Sequence, residues 1–129
     1  MGVDVIFIIT IIVAIIFLSI AVFQVLLSLG YPLGEFAMGG YFKVLPKKLR
    51  MISAVNAIIL LLMAFVFLVD SKVIIAYTFL PTNILVWAIT IFLGVNSIAN
   101  LMSQSKKERL VMTPLSTITF LLCLVISLS

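Results

Sequence analysis

Residues 30–50, GYPLGEFAMGGYFKVLPKKLR, interrupt what is otherwise nearly continuous hydrocarbon, and their reading decides the fold. They hold four of the chain's six glycines, two of its four prolines, one of its four acidic residues and four of its eight basic ones. Pro32, Gly34, Gly39, Gly40 and Pro46 oppose a continuous helix. The stretch therefore separates two elements. Yet Leu33, Phe36, Ala37, Met38, Tyr41, Phe42, Val44 and Leu45 are too apolar for a free aqueous loop. Such a segment is expected to lie at a lipid headgroup boundary or to dip into a helical bundle, where protein or water covers its irregular backbone.

On either side the chain is hydrophobic enough to settle its class. Its 129 residues suit one domain. Hydrophobic residues make up 65 % and charged ones 9 %, with a mean hydropathy of +1.46. Soluble domains carry about a quarter charged residues, so an integral membrane protein is expected. About 20 apolar residues in a helix cross a bilayer core of about 30 Å. Spans are expected over residues 5–29, 49–69, 83–104 and 111–128: an all-α, four-helix transmembrane bundle with an irregular connection between helices 1 and 2. Pro81 leaves 73–80 as a separate interfacial segment. Thr113-Pro114 is expected either to start the fourth helix or to kink its first turns. A start there leaves about 24 Å of helix, and the bilayer must thin locally.

Lysine and arginine orient this plan. Lys43, Lys47, Lys48 and Arg50 lie between spans one and two, and Lys106, Lys107 and Arg109 between spans three and four. Those two loops share a side, and only Lys72 falls on the other. The positive-inside rule places both basic loops in the cytoplasm and both termini outside a plasma membrane. Lys43, Lys47, Lys48, Lys106, Lys107 and Arg109 are expected to contact anionic lipid headgroups.

Composition also narrows the chemistry. The sequence pI of 9.5 comes from cations at the ends of hydrophobic runs, with no basic stripe for nucleic acid. One cysteine, Cys123, and no histidine exclude an intrachain disulfide, a His/Cys metal site and a Cys–His nucleophile pair. No cofactor is expected. The start, MGVDVIFIIT, lacks a basic n-region and runs on too long for a signal-peptide core, so the first span is expected to be retained. Ile6 stands where myristoylation needs Ser or Thr. The glycines of GEFAMGGYF are followed by no Lys-Ser/Thr, so no P-loop forms.

Polar residues recur along single helix faces. Thr10, Ala14, Phe17, Ala21, Gln24 and Ser28 share one face of the first span, and Ser53, Asn56, Leu60, Met63 and Phe67 one face of the second. The third carries Asn83, Trp87, Thr90, Gly94, Ser97 and Gln104, flanked by Asn96 and Asn100; the fourth offers Thr113, Ser116, Thr117 and Cys123. Small and polar residues at this spacing mark seams between membrane helices. Gln24, Asn56, Asn96 and Asn100 fall in the cytoplasmic halves of their spans, and with Glu35 and Arg50 at the mouth they are candidates for an inward-facing polar pocket. The plainer reading is that the amides and hydroxyls bond from helix to helix and lock the bundle. Glu35 is either an intramembrane charge, and then functional, or a surface group paired with Arg50 or a lysine of the other basic loop. The surface placement is the expected one. SQSKKERL reads as an anchoring turn at the membrane surface.

A wider pattern adds a resemblance. The glycine pair Gly39-Gly40, then Leu45-Pro46, Leu49-Arg50 and Ser53, then NLMSQSKKERLVMTP and LLCLVISLS resemble a group of small four-span membrane proteins of Gram-positive bacteria. Asn100, Ser103, Ser105, Glu108, Arg109 and Thr113-Pro114 match that group's pattern before the last helix, whereas Met38 stands where a tryptophan often precedes the glycine pair. The resemblance spans most of residues 30–125. It implies the four-span plan and brings no activity with it. Six lysines against two arginines, with abundant isoleucine, fit an AT-rich bacterial source.

Two roles follow. The first is a non-enzymatic accessory subunit that binds membrane lipids and a protein partner. The second is a small transporter or channel, acting as a homo-oligomer, whose site is the polar cluster. An enzyme is not expected, because Glu35 alone supplies no acid–base pair.

Overall fold

The computed structural model describes residues 3–37, 40–71 and 81–129. Four helices account for most of them: α1 (Val3–Ser28), α2 (Lys47–Asp70), α3 (Thr82–Leu101) and α4 (Lys106–Leu128). Among the described residues there is no strand. All four helices are long and apolar enough to cross a membrane. At 26 residues, α1 is about 39 Å long and fits a core of about 30 Å only when tilted.

The helices run up and down as two hairpins. α1 packs along α2 and α3 along α4, while the α1/α4 and α2/α3 seams are thinner. Arg50 Nε donates to the Ser28 carbonyl at 2.9 Å at one end of the first hairpin, and Thr10 Oγ1 donates to Ser71 Oγ at 2.7 Å near the other. In the second hairpin, hydroxyl and amide pairs join Thr90 to Ser127, Ser97 to Thr117 and Asn100 to Ser116, at 2.9, 2.6 and 3.1 Å.

α1 ends where Gly30 allows it to. With Gly30 at φ +91°, its N–H reaches the Leu27 carbonyl at 3.1 Å and the Tyr31 N–H reaches Leu26 at 3.2 Å. This is the Schellman closure, which favours glycine at the left-handed position. Arg50, bonded to the Ser28 carbonyl, adds a cation where the helix dipole is negative.

α4 begins earlier than its proline suggests. Pro114 lies inside the helix, and residues 106–110, read from sequence as part of an anchoring turn, form its first turns. Ser105 is the reason: its side chain accepts the Glu108 N–H at 3.3 Å and caps the helix. The 23-residue helix is then about 35 Å long, so no local thinning of the bilayer is required. The proposed interfacial segment 73–80, together with Lys72, lies outside the described residues.

The two halves of the bundle are packed differently. Where α1 begins and α4 finishes, Val13, Phe17, Met63, Phe67, Val86, Leu93, Cys123 and Ile126 form one buried cluster. Phe17 and Phe67 are fully buried, with ring centroids 5.9 Å apart. Dispersion and close fit must hold this core, because lipid outside removes the hydrophobic drive between helices. The α1 and α2 polar stripes face inward as expected, with Thr10, Ala21 and Ser53 buried. The α3 stripe does so only in its middle: Thr90 is buried, whereas Asn83, Trp87 and Gln104 are exposed.

Candidate functional site: a polar cavity between the hairpins

In the other half, toward the basic connections, the hairpins part. Gln24 of α1, Asn56 of α2, Asn96 and Asn100 of α3, and Glu108 and Ser116 of α4 line a cavity of about 340 Å³. Phe36 and Ala37 from the α1–α2 connection complete its wall at that end. A second chamber of about 540 Å³ adjoins it and shares Gln24, Asn56, Asn96 and Ser116. Its own lining is apolar, with Ile59, Leu60 and Met63 facing Ile89, Phe92 and Leu93. Ile59 and Phe92 are also exposed on the outside of the bundle, so this chamber reaches the surface between α2 and α3.

The cavity's hydrogen bonding is incomplete. Asn100 Nδ2 donates to Ser116 Oγ at 3.1 Å, and Ser116 Oγ donates in turn to the Met112 carbonyl at 2.7 Å. Gln24 Oε1 is buried and has no partner. The side chains of Asn56 and Asn96 make no hydrogen bond among the described residues. A buried acceptor left unsatisfied costs about 1–3 kcal/mol, a cost that water or a bound solute removes.

The α1–α2 connection docks across this end. Its 3₁₀ turn, Gly34–Phe36, meets the start of α4. Ser105 Oγ donates to the Glu35 carbonyl at 2.5 Å, and Lys107 Nζ lies 2.5 Å from Glu35 Oε2. Lys107 also stands 5.9 Å from the centre of the Phe36 ring, within cation–π range. The Lys107 ammonium, by hydrogen bond and charge, holds the Glu35 carboxyl below its ordinary value, with Lys43 adding a smaller effect.

Four of the six residues expected to form the pocket, Gln24, Asn56, Asn96 and Asn100, thus line one cavity. The other two sit elsewhere. Glu35 is at the surface paired with Lys107, and Arg50 caps α1. The cations expected at headgroups gather at the same end: Lys43, Lys47, Lys48, Lys106 and Arg109 are exposed. Arg109 Nη1 donates to the Ser103 carbonyl at 3.2 Å.

Sequence reasoning missed Glu108. It is 4 % exposed and lines the cavity. The signal was present, because Ser105 and Glu108 stand at capping-box spacing, which starts α4 early enough to turn Glu108 inward. Among the described residues, no group of three His, Cys, Asp or Glu side chains is placed to hold a metal ion. No protein-family model, no curated protein and no solved structure matches the chain.

Proposed function

We propose that this chain is a plasma-membrane carrier or transporter that binds a small solute between its two hairpins. Of the two roles the sequence suggests, the cavity supports this one over the accessory subunit. The carrying observation is the convergence of side-chain amides from three helices around a buried, unpartnered Gln24 Oε1. The cavity volume lies in the usual range for small-molecule sites. The seven cations at the basic end orient that end to the cytoplasm, so the cavity lies on the inner side while the Phe17–Phe67 core seals the outer half. Translocation then requires the outer core to part. The role is one of binding, since a single carboxylate among amides offers no acid–base pair.

Water access tests the reading. In a Cys123→Ser background, Asn96→Cys is expected to react with a small membrane-impermeant thiol reagent from the cytoplasmic side only. Asn100→Leu should slow that reaction about tenfold, because an isobutyl group fills the polar chamber. A thiol protected from both sides would mean that the amides only lock helices together, and would return the accessory-subunit role.

A further inference from the structure

The two chambers also specify what kind of solute fits, on the reading that the cavity is a binding site as proposed above. Among the described residues, no lysine or arginine lines either chamber, so an anion would be buried without a countercharge, which is costly. Glu108 already makes an interaction within the chain and is not a free counterion for a cation. The groups open to a solute are therefore neutral. Gln24 Oε1 is buried without a donor, which calls for an N–H or O–H on the solute. The Asn56 and Asn96 amides make no hydrogen bond among the described residues, and each offers both an acceptor oxygen and an N–H donor. A head group that is uncharged and both donates and accepts, such as a carboxamide or a hydroxyl, meets all of these demands.

The second chamber adds a demand of its own. It continues from the polar chamber through Gln24, Asn56, Asn96 and Ser116. Beyond them it is walled by aliphatic and aromatic side chains, and it opens between α2 and α3, where Ile59 and Phe92 are exposed on the apolar surface of the bundle. A hydrocarbon chain attached to the head group would lie there and exclude water from apolar walls. We propose that the two chambers form one site for an uncharged amphiphile, with its hydrogen-bonding head among Gln24, Asn56 and Asn96 and its hydrocarbon chain against Leu60, Met63 and Phe92.

The test uses the full chain in phosphatidylcholine nanodiscs and measures saturable binding above that of empty discs, referred to the free aqueous probe. The probes are hexanamide, acetamide, N,N-dimethylhexanamide, hexanoate and hexylammonium. Hexanamide is expected to bind about tenfold more tightly than acetamide, which has no chain. It should also bind about tenfold more tightly than N,N-dimethylhexanamide, which has no N–H to donate. Neither charged probe should approach hexanamide. Gln24→Leu should weaken hexanamide about tenfold and leave N,N-dimethylhexanamide unchanged, a difference that a general loss of packing would not produce. If Gln24→Leu fails to fold, the probe series on the parent chain decides alone. Phe92→Ala, at an exposed site, should narrow the gap between hexanamide and acetamide. Equal affinity for hexanamide and acetamide would overturn the hydrocarbon subsite, and equal affinity for hexanamide and its dimethyl derivative would overturn the role of Gln24. Binding of either charged probe as tight as hexanamide would overturn the neutral head. Failure of every probe to saturate with Asn96→Cys still reachable from the cytoplasm would remove the amphiphile class and leave the cavity's solute-binding role standing.

Discussion

At Gly40 the backbone sits at φ +74°, and a methyl group added there would collide with the Ser105 side chain. The Gly40 N–H also closes onto the Ala37 carbonyl at 2.9 Å, so the residue cannot move aside without losing the turn. Gly40→Ala is expected to cost about 1–3 kcal/mol in backbone strain alone and to undock the connection from α4. Detergent-solubilised protein should lose thermal stability accordingly, whereas Val44→Ala, at an exposed position, should change little.

Glu35 carries a second expectation at this scale. Lys107 holds its carboxyl below the ordinary value of 4.5. A depressed acid stabilises the docked form above its unfolded pKa and loses that contribution as pH falls through its folded value. The connection should thus stay docked through neutral and mildly acidic pH and loosen only below the usual glutamate range. Amide exchange at Gly34 and Ala37, corrected for its intrinsic pH dependence, should rise there in the parent chain. In Glu35→Gln it should be raised at all pH values and show no such step.

α4 shows how one cap can shape a site. Ser105 accepts the Glu108 N–H and donates to the Glu35 carbonyl, so it both starts the helix and ties the other hairpin's connection to it. Ser105→Ala should cost about 1 kcal/mol for the lost cap, with a further loss for the Glu35 contact, as measured by denaturant unfolding in micelles. Fraying of the first turn should follow, exposing Glu108. Farther along, Ser116, Thr119 and Ser127 turn their hydroxyls back to carbonyls four residues earlier, which satisfies them inside a membrane helix. The α3–α4 pairs add interhelical bonds of about 0.6 kcal/mol each. α3 and α4 thus form a polar-bonded hairpin, with the Asn96 amide left over at its cavity face.

For the molecule as a whole, the two hairpins meet through a packed core in one half and part around a cavity in the other. The docking of Glu35 against Ser105 and Lys107 puts both basic connections at one end. Under the proposed cytoplasmic placement of that end, cysteines replacing Lys47 and Lys107 should both be modified by an impermeant reagent from the cytoplasm and neither from outside. Opposite labelling would overturn the orientation.

Four helices, their approximate limits and the clustering of cations were legible in the sequence, because each depends on local properties. Length and hydropathy decide whether a segment can span, and Gly30 and Pro81 mark where α1 stops and α3 starts, although Pro114 lies inside α4. The inward face of α1 was also legible, since 3.6-residue periodicity puts Thr10, Phe17 and Ala21 on one side. Only the tertiary structure decided that Gln24, Asn56, Asn96 and Asn100 line a cavity, that Arg50 caps α1, and that Glu108 is buried. Periodicity assigns a residue to a face of its own helix and says nothing of which helix lies opposite or how far away. A polar side chain becomes a helix-to-helix bond or a cavity wall according to that distance, and here the splay of two hairpins sets it.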